Sequence, residues 1–267
     1  MTPEEYFQIP ALNWSSLKLI ADSPQLFAWR TEHPEPDKDC FADGRAFHCA
    51  ILEPERFREI YHVEPEFSGK GSVQARKDWQ ASIPPGHEVI KPQRKADLLQ
   101  AAAATWSHKV ASGLLLDGRY EQVVQWTDAT GLRCKAKLDC LKPQCVVDLK
   151  SDRDVRPQRF PATVARYLYH GQLAWYHDGA IAAGVLPVDA ERPYLVAVQL
   201  SEPYYVGAYQ LDAEALHAGR ALYRSLIDQL LACRAAKMWP GVAPDLVQLA
   251  LPAWAPGLDV DESEGEL

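Results

Sequence analysis

The sequence has no surplus of positive charge. It carries 28 Lys and Arg against 36 Asp and Glu, a net of −8 at pH 7, whereas a chain built to hold a polyanion usually shows a basic footprint. The closing stretch DVDESEGEL holds five acids and no base, so the remainder stands near −3. Acids gathered in a cation-binding pocket would offset more of the imbalance, because a bound ion cancels their charge. Net charge therefore weighs against a nucleic-acid partner without excluding one. No apolar run approaches the ~20 residues that span a bilayer. The acidic opening MTPEEYFQIP lacks the basic region and apolar core of a secretory leader. A cytoplasmic location without membrane contact is expected. The six cysteines, at 40, 49, 134, 140, 145 and 233, form no C-x-x-C pair. That speaks against a zinc ribbon or iron–sulfur cluster and for reduced thiols in a core. A phosphate loop is also missing: SGKGS at 68–72 has Glu64 where G-x-x-x-x-G-K-[ST] needs its first glycine.

What is present suits a globular α/β chain. The 267 residues, 47% hydrophobic and 24% charged, can bury one sizeable core. The expected organisation is a single domain over 1–256, with a helical front end (1–118) and a catalytic core (119–236). An acidic, disordered tail over 257–267 follows, poor in core material. At the front, LNWSSLKLIADSPQLFAWR reads as a helix with Asn13, Ser15 or Ser16 as cap, and GRAFHCAILEPERF as a second, ending near Pro54. The span 64–92, rich in Gly, Pro, Ser and charge, reads as an exposed, mobile connection. A long helix begins with Pro92 in its first turn.

In the middle the period changes. RYEQVVQWT, GLRCKAKLDCL and QCVVDLKS alternate or run apolar as strands do, with the turn DATG between the first two. Side chains alternate along a strand, so Leu132, Cys134, Ala136 and Leu138 share one face and Arg133, Lys135, Lys137 and Asp139 the other. Asp148 and Lys150 share a face by the same rule, and Glu121 on the preceding strand can reach it. A helix after Pro161, two further strands and a closing helix capped by Asp212 complete the order. On the first of these helices Tyr169, Gln172 and Tyr176 fall on one side.

Two carboxylates ~4 Å apart repel by about 4 kcal/mol at an effective dielectric of 20. They persist as a pair only with a cation or a shared proton between them. Asp139 and Asp148 thus point to a divalent ion, with Mg²⁺ expected and Mn²⁺ able to substitute. Such an ion polarises a phosphoryl oxygen and activates water. Lys150 can orient that water or neutralise the charge that builds on phosphorus.

The order of these pieces resembles the RecE-type exodeoxyribonucleases (exonuclease VIII) of the PDDEXK nuclease superfamily. The matching stretches are SSLKLIADSP, GRAFHCAILEPERF, YEQVVQWTDATGLRCKAKLDCL, VVDLKS and YHGQLAWYHDGA, over about residues 13–184. Gln172-x-x-x-Tyr176 resembles the Q-x-x-x-Y element of RecB-like nucleases. The resemblance implies a restriction-endonuclease-like α/β core, a central mixed sheet flanked by helices. It implies that His48, Asp139, Asp148 and the carbonyl of Leu149 hold the metal, with Glu121 in the same pocket. Lys150 becomes the catalytic lysine, and Gln172 and Tyr176 position the DNA end. Asp148 stands where many superfamily members carry Glu. Arg45, Lys135, Lys137, Arg153, Arg156 and Tyr169 are the candidate DNA contacts.

The implied activity is ATP-independent digestion of linear double-stranded DNA, 5′ to 3′, in phage-type homologous recombination. A ring-shaped homo-oligomer and a single-strand annealing partner are implied with it; a ring would let positive potential line an inner channel despite the acidic total. Two alternatives remain open at this point: a structure-selective endonuclease on the same fold, and a non-catalytic DNA-binding recombination scaffold.

Overall fold

The computed structural model describes residues 3–34 and 39–252, so the expected acidic tail over 257–267 lies outside the described residues. The chain opens with α1 (Pro3–Gln8), α2 (Trp14–Leu17), α3 (Leu19–Asp22) and α4 (Pro24–Glu32). The expected first helix is thus three pieces. Asn13 caps α2 by accepting from the Ser16 N–H at 2.8 Å. Ser23 then caps α4 with an extended backbone, accepting from the Leu26 N–H at 3.1 Å, with Pro24 in the first turn. A new cap followed by proline ends one helix and starts another. Pro54 alone, without a side-chain cap, separates α5 (Asp39–Leu52) from α6 (Pro54–Ile60).

The span 64–92 is more ordered than its composition suggests. After β1 (Tyr61–Val63) it folds into α7 (Ser72–Ser82) and β2 (Glu88–Ile90), and β2 pairs in parallel with β1. The expected exposed connection thus carries regular structure, and α7 buries no residue. The long helix after Pro92 is also two, α8 (Pro92–Ser107) and α9 (Lys109–Leu115). His108 interrupts it by turning its ring to cap α9, accepting from the Ala111 N–H at 3.1 Å.

The main sheet holds β3 (Arg119–Thr127), β4 (Arg133–Leu141), β5 (Val146–Ser151), β6 (Tyr194–Val198) and β7 (Val206–Gln210), in that spatial order. Neighbours are antiparallel except β5 and β6. That parallel pair needs a crossover, supplied by α10 (Phe160–Arg166) and α11 (Tyr169–Ala182). The closing helix α12 (Ala213–Ala236) is capped by Asp212, as expected. Helices cover both faces. Leu173, Trp175, Leu226 and Leu230 pack in one layer with Leu138 and Leu195. Phe47, Ile51, Leu98 and Leu115 pack in the other with Val147, Leu149 and Val196. A mixed sheet flanked by helices is the architecture expected from the sequence. Among the described residues no helix is long and apolar enough to cross a membrane.

One irregularity positions the site. The β4–β5 ladder pairs only Cys140 with Val147 and Leu141 with Val146; one step further in that register, Asp139 stands opposite Asp148. The β3–β4 ladder is continuous in register from Arg119 to Thr127 but skips Glu121, the position facing Asp139. Glu121 has φ 55°, in the left-handed region that non-glycine residues seldom occupy. The alternation of β4 slips there: Cys134, Ala136 and Leu138 pack in the first layer, whereas Cys140 packs in the second. Beyond the fork, Leu12 pairs with the start of β4: its N–H donates to the Arg133 carbonyl and its carbonyl accepts from the Lys135 N–H, each at 2.8 Å.

Candidate active site

The opening between β4 and β5 strips Leu149 of a ladder partner on that side, and a buried backbone N–H must find an acceptor. The Asp139 carboxylate supplies it, with Oδ2 accepting from the Leu149 N–H at 2.8 Å. Its other oxygen, Oδ1, lies 3.4 Å from His48 Nδ1, which α5 brings in from the second layer. Glu121 Oε1 lies 3.9 Å from the same nitrogen, while Oε2 contacts the Lys137 ammonium. One donor atom each from His48, Glu121 and Asp139 falls within 4.8 Å of the others. Asp148 stands beside this trio. Its buried Oδ2 lies 2.5 Å from Lys150 Nζ, an ion pair inside the site. From α11, Gln172 Nε2 donates to Tyr176 Oη at 2.8 Å.

Proximity drives the two aspartates apart in protonation. Burial pushes the Asp148 carboxyl up to about 6, and the Asp139 charge adds to the rise against the pull of Lys150. Burial works against ionisation of Asp139 too, but His48, Lys150 and the Leu149 N–H outweigh it and hold that carboxyl well below the usual range. Glu121 is raised by burial and by Asp139. Burial would lower His48, yet the Asp139 carboxylate more than reverses this. Lys150 follows the same logic, with Asp148 outweighing burial and keeping it a cation. Like charges this close share protons or a counter-ion.

The chain matches, over residues 14–246, a family described as a PDDEXK-like domain of unknown function (DUF3799). It belongs to this PDDEXK-like family. A crystal structure from Eubacterium rectale, described as a candidate exonuclease, superposes with a TM-score of 0.61 at 13% identity. It covers 89% of this chain and 88% of its own, and at that identity it speaks for the fold. The crystal structure of SSO0001, with a TM-score of 0.28, 14% identity and coverage of 72% and 86%, carries no argument. No curated protein matches the chain.

In this PDDEXK-like chain the donor set fits a hard divalent cation. It offers imidazole nitrogen and carboxylate oxygen without thiolate, with a further buried carboxylate, Asp148, beside it. The geometry draws Glu121 into the trio, whereas the sequence reading placed Asp148 among the first ligands. Leu149 is fully buried between Asp148 and Lys150.

The candidate DNA contacts divide. Lys135 is corrected: it is 2% exposed and donates to the carbonyls of Tyr6 at 2.7 Å and Ile9 at 2.9 Å. Burial lowers its pKa, and its ammonium ties down the end of α1 where a phosphate cannot reach. Lys137 serves Glu121, and Arg45 lies 3.5 Å from Glu88 on β2. Arg156 is exposed but forks onto Asp154, and Arg153 is exposed. Tyr169 packs beneath the Lys150 ammonium, 5.0 Å from ring centroid to Nζ. The sequence reading missed Tyr6, whose hydroxyl bonds Asn13 and whose ring carries the Lys135 ammonium at 4.5 Å. No local pattern could have found it, because the cation on its ring, Lys135, lies about 130 residues away.

Proposed function

We propose that this PDDEXK-like protein is a metal-dependent nuclease that hydrolyses phosphodiester bonds of DNA. The observation that carries the reading is the fork itself. Three donors converge there, and beside them a third carboxylate, Asp148, is buried and paired with Lys150. The Lys150 ammonium alone does not balance carboxylates this close, and a divalent cation would. His48, Glu121, Asp139 and Asp148 would hold the metal, with the Leu149 carbonyl as a further ligand. A bound Mg²⁺ or Mn²⁺ would supply Lewis acidity and an activated water. Lys150, cationic and held by Asp148, would orient that water and stabilise negative charge on the phosphoryl oxygens. The Gln172–Tyr176 pair would position the strand.

The resemblance to RecE-type enzymes extends the proposal. The reaction would be ATP-independent exonuclease action on the ends of linear duplex DNA, running 5′ to 3′, by a ring-shaped homo-oligomer serving a single-strand annealing partner in recombination. The test is incubation with end-labelled linear duplex, with and without Mg²⁺, beside a covalently closed circle. Metal-dependent loss of the linear DNA with an intact circle supports the full reading. Nicking of the circle replaces it with an endonuclease, and inertness toward both rejects the nuclease.

A further inference from the structure

Outside the fork, the crossover holds a strained turn. The expected single helix after Pro161 breaks between α10 and α11 at Leu168, which adopts φ 57°, ψ 35°. A bulky residue in the left-handed region is strained, and such strain persists where the surroundings enforce it, often at ligand sites. Here it turns the residues on either side toward each other. Tyr167 and Tyr169 stack with centroids 5.7 Å apart and planes 25° apart. Tyr169 carries the Lys150 ammonium 5.0 Å from its centroid, and Arg166 lays its guanidinium 5.7 Å from the Tyr167 centroid. The result is a ladder from Asp148 through Lys150, Tyr169 and Tyr167 to Arg166, running from the buried fork to solvent. Its outer rungs support no core. Tyr167 is 49% exposed and belongs to neither hydrophobic layer, and Arg166 is exposed.

An exposed aromatic ring with an exposed guanidinium beside it is the arrangement on which unpaired bases stack. Every base presents a π-face, arginine adds a cation–π contact, and the same guanidinium can turn to a phosphate. Two short steps separate the Tyr167 ring from the Lys150 ammonium. A base on Tyr167 would therefore belong to a nucleotide one or two places from the phosphate at Lys150. We propose that Tyr167 and Arg166 form a nucleobase-stacking subsite that takes an unpaired nucleotide next to the scissile phosphate, without base preference. The inference rests on the nuclease reading above and adds to it that the strand entering the fork is single.

The test reads binding separately from cleavage. A fluorescein-labelled hairpin duplex with a short single-stranded end is titrated, with Ca²⁺ in place of Mg²⁺, against wild type, Tyr167→Ala and Tyr167→Trp. The titrations are repeated with an abasic unit moved one position at a time along the unpaired end. Tyr167→Ala is expected to bind about tenfold more weakly, within the range found for removing a base–aromatic stack, and Tyr167→Trp at least as tightly as wild type. One abasic position should weaken wild type by a similar factor and leave Tyr167→Ala unaffected. Equal binding by Tyr167→Ala, or an abasic effect of the same size in both proteins at every position, overturns the subsite. If that happens while wild type still cleaves DNA with Mg²⁺, the nuclease reading survives. If wild type neither binds nor cleaves DNA, both fall together.

Discussion

Two clusters of charge involve α11, and they are built on opposite terms. At Asp178 every carboxylate oxygen is served: Arg220 donates from Nε and Nη2 at 2.7–3.1 Å, and Tyr223 Oη donates at 2.7 Å. Burial alone would raise that carboxyl, but the hydrogen bonds from His177, Arg220 and Tyr223 prevail and hold it well below the usual range. At the fork, Asp148 is pushed up to about 6, because burial and the neighbouring Asp139 carboxylate outweigh the pull of Lys150 and His48. A carboxyl held low in the folded state adds stability above its unfolded value. One held high loses its stabilising contribution as pH rises through the folded value. Asp178 thus works for the fold, whereas Asp148 works against it. A carboxylate served on both oxygens needs nothing further, whereas one crowded by another acid beside three convergent donors suits a cation.

The sharpest way to break this contrast is to remove one member of each cluster and read both activity and stability. Asp148→Ala and Lys150→Ala should each lose at least ~100-fold in cleavage rate with Mg²⁺, the scale expected for deleting a charge-stabilising group. Near-normal cleavage by either protein would sink the assignment. Asp178→Ala should instead keep most of the activity at 25 °C and lose about 2 kcal/mol of stability, because it strands charge-assisted hydrogen bonds. For a chain of this size that is on the order of 5 °C in thermal midpoint.

The pH dependence of that loss sharpens the contrast. Since Asp178 is depressed in the folded state, its contribution is complete above the ordinary carboxyl value of about 4 and fades as pH falls below it. The stability gap between wild type and Asp178→Asn, measured by denaturant titration, should hold from pH 7 to about 5 and close in stronger acid. A gap that widens on acidification contradicts the account. The smallest effect is expected from Tyr176→Phe, which keeps the ring and removes only the acceptor of the Gln172 amide. Its rate should fall by less than about tenfold, the order of one neutral hydrogen bond.

The sheet was legible in the sequence because alternation and turn chemistry act locally: DATG closes the β3–β4 hairpin, and Asp212 caps α12. The positions of Asp139 and Asp148 on neighbouring strands followed from the same period. What alternation could not reveal is the slip at Asp139, because it depends on a left-handed Glu121 eighteen residues earlier on another strand. Nor could it separate Lys135 from Lys137. Both read as exposed strand cations, and only the return of α1 and Leu12 onto β4 buries the first. In 64–92 the Gly and Pro content hid α7, which has almost no apolar face to betray it. Helix breaks at Ser23 and His108 turn on side-chain caps within otherwise helical runs, a choice that tertiary packing decides.

The central claim is that one divalent cation is held where β4 and β5 part. Mn²⁺ binding, followed by electron paramagnetic resonance on the purified protein, tests it without DNA. Wild type should sequester Mn²⁺ in competition with Mg²⁺, and Asp139→Ala and Asp148→Ala should each leave the ion in solution while retaining their fold by circular dichroism. Retention of Mn²⁺ by both variants, or no binding by wild type, would contradict the account.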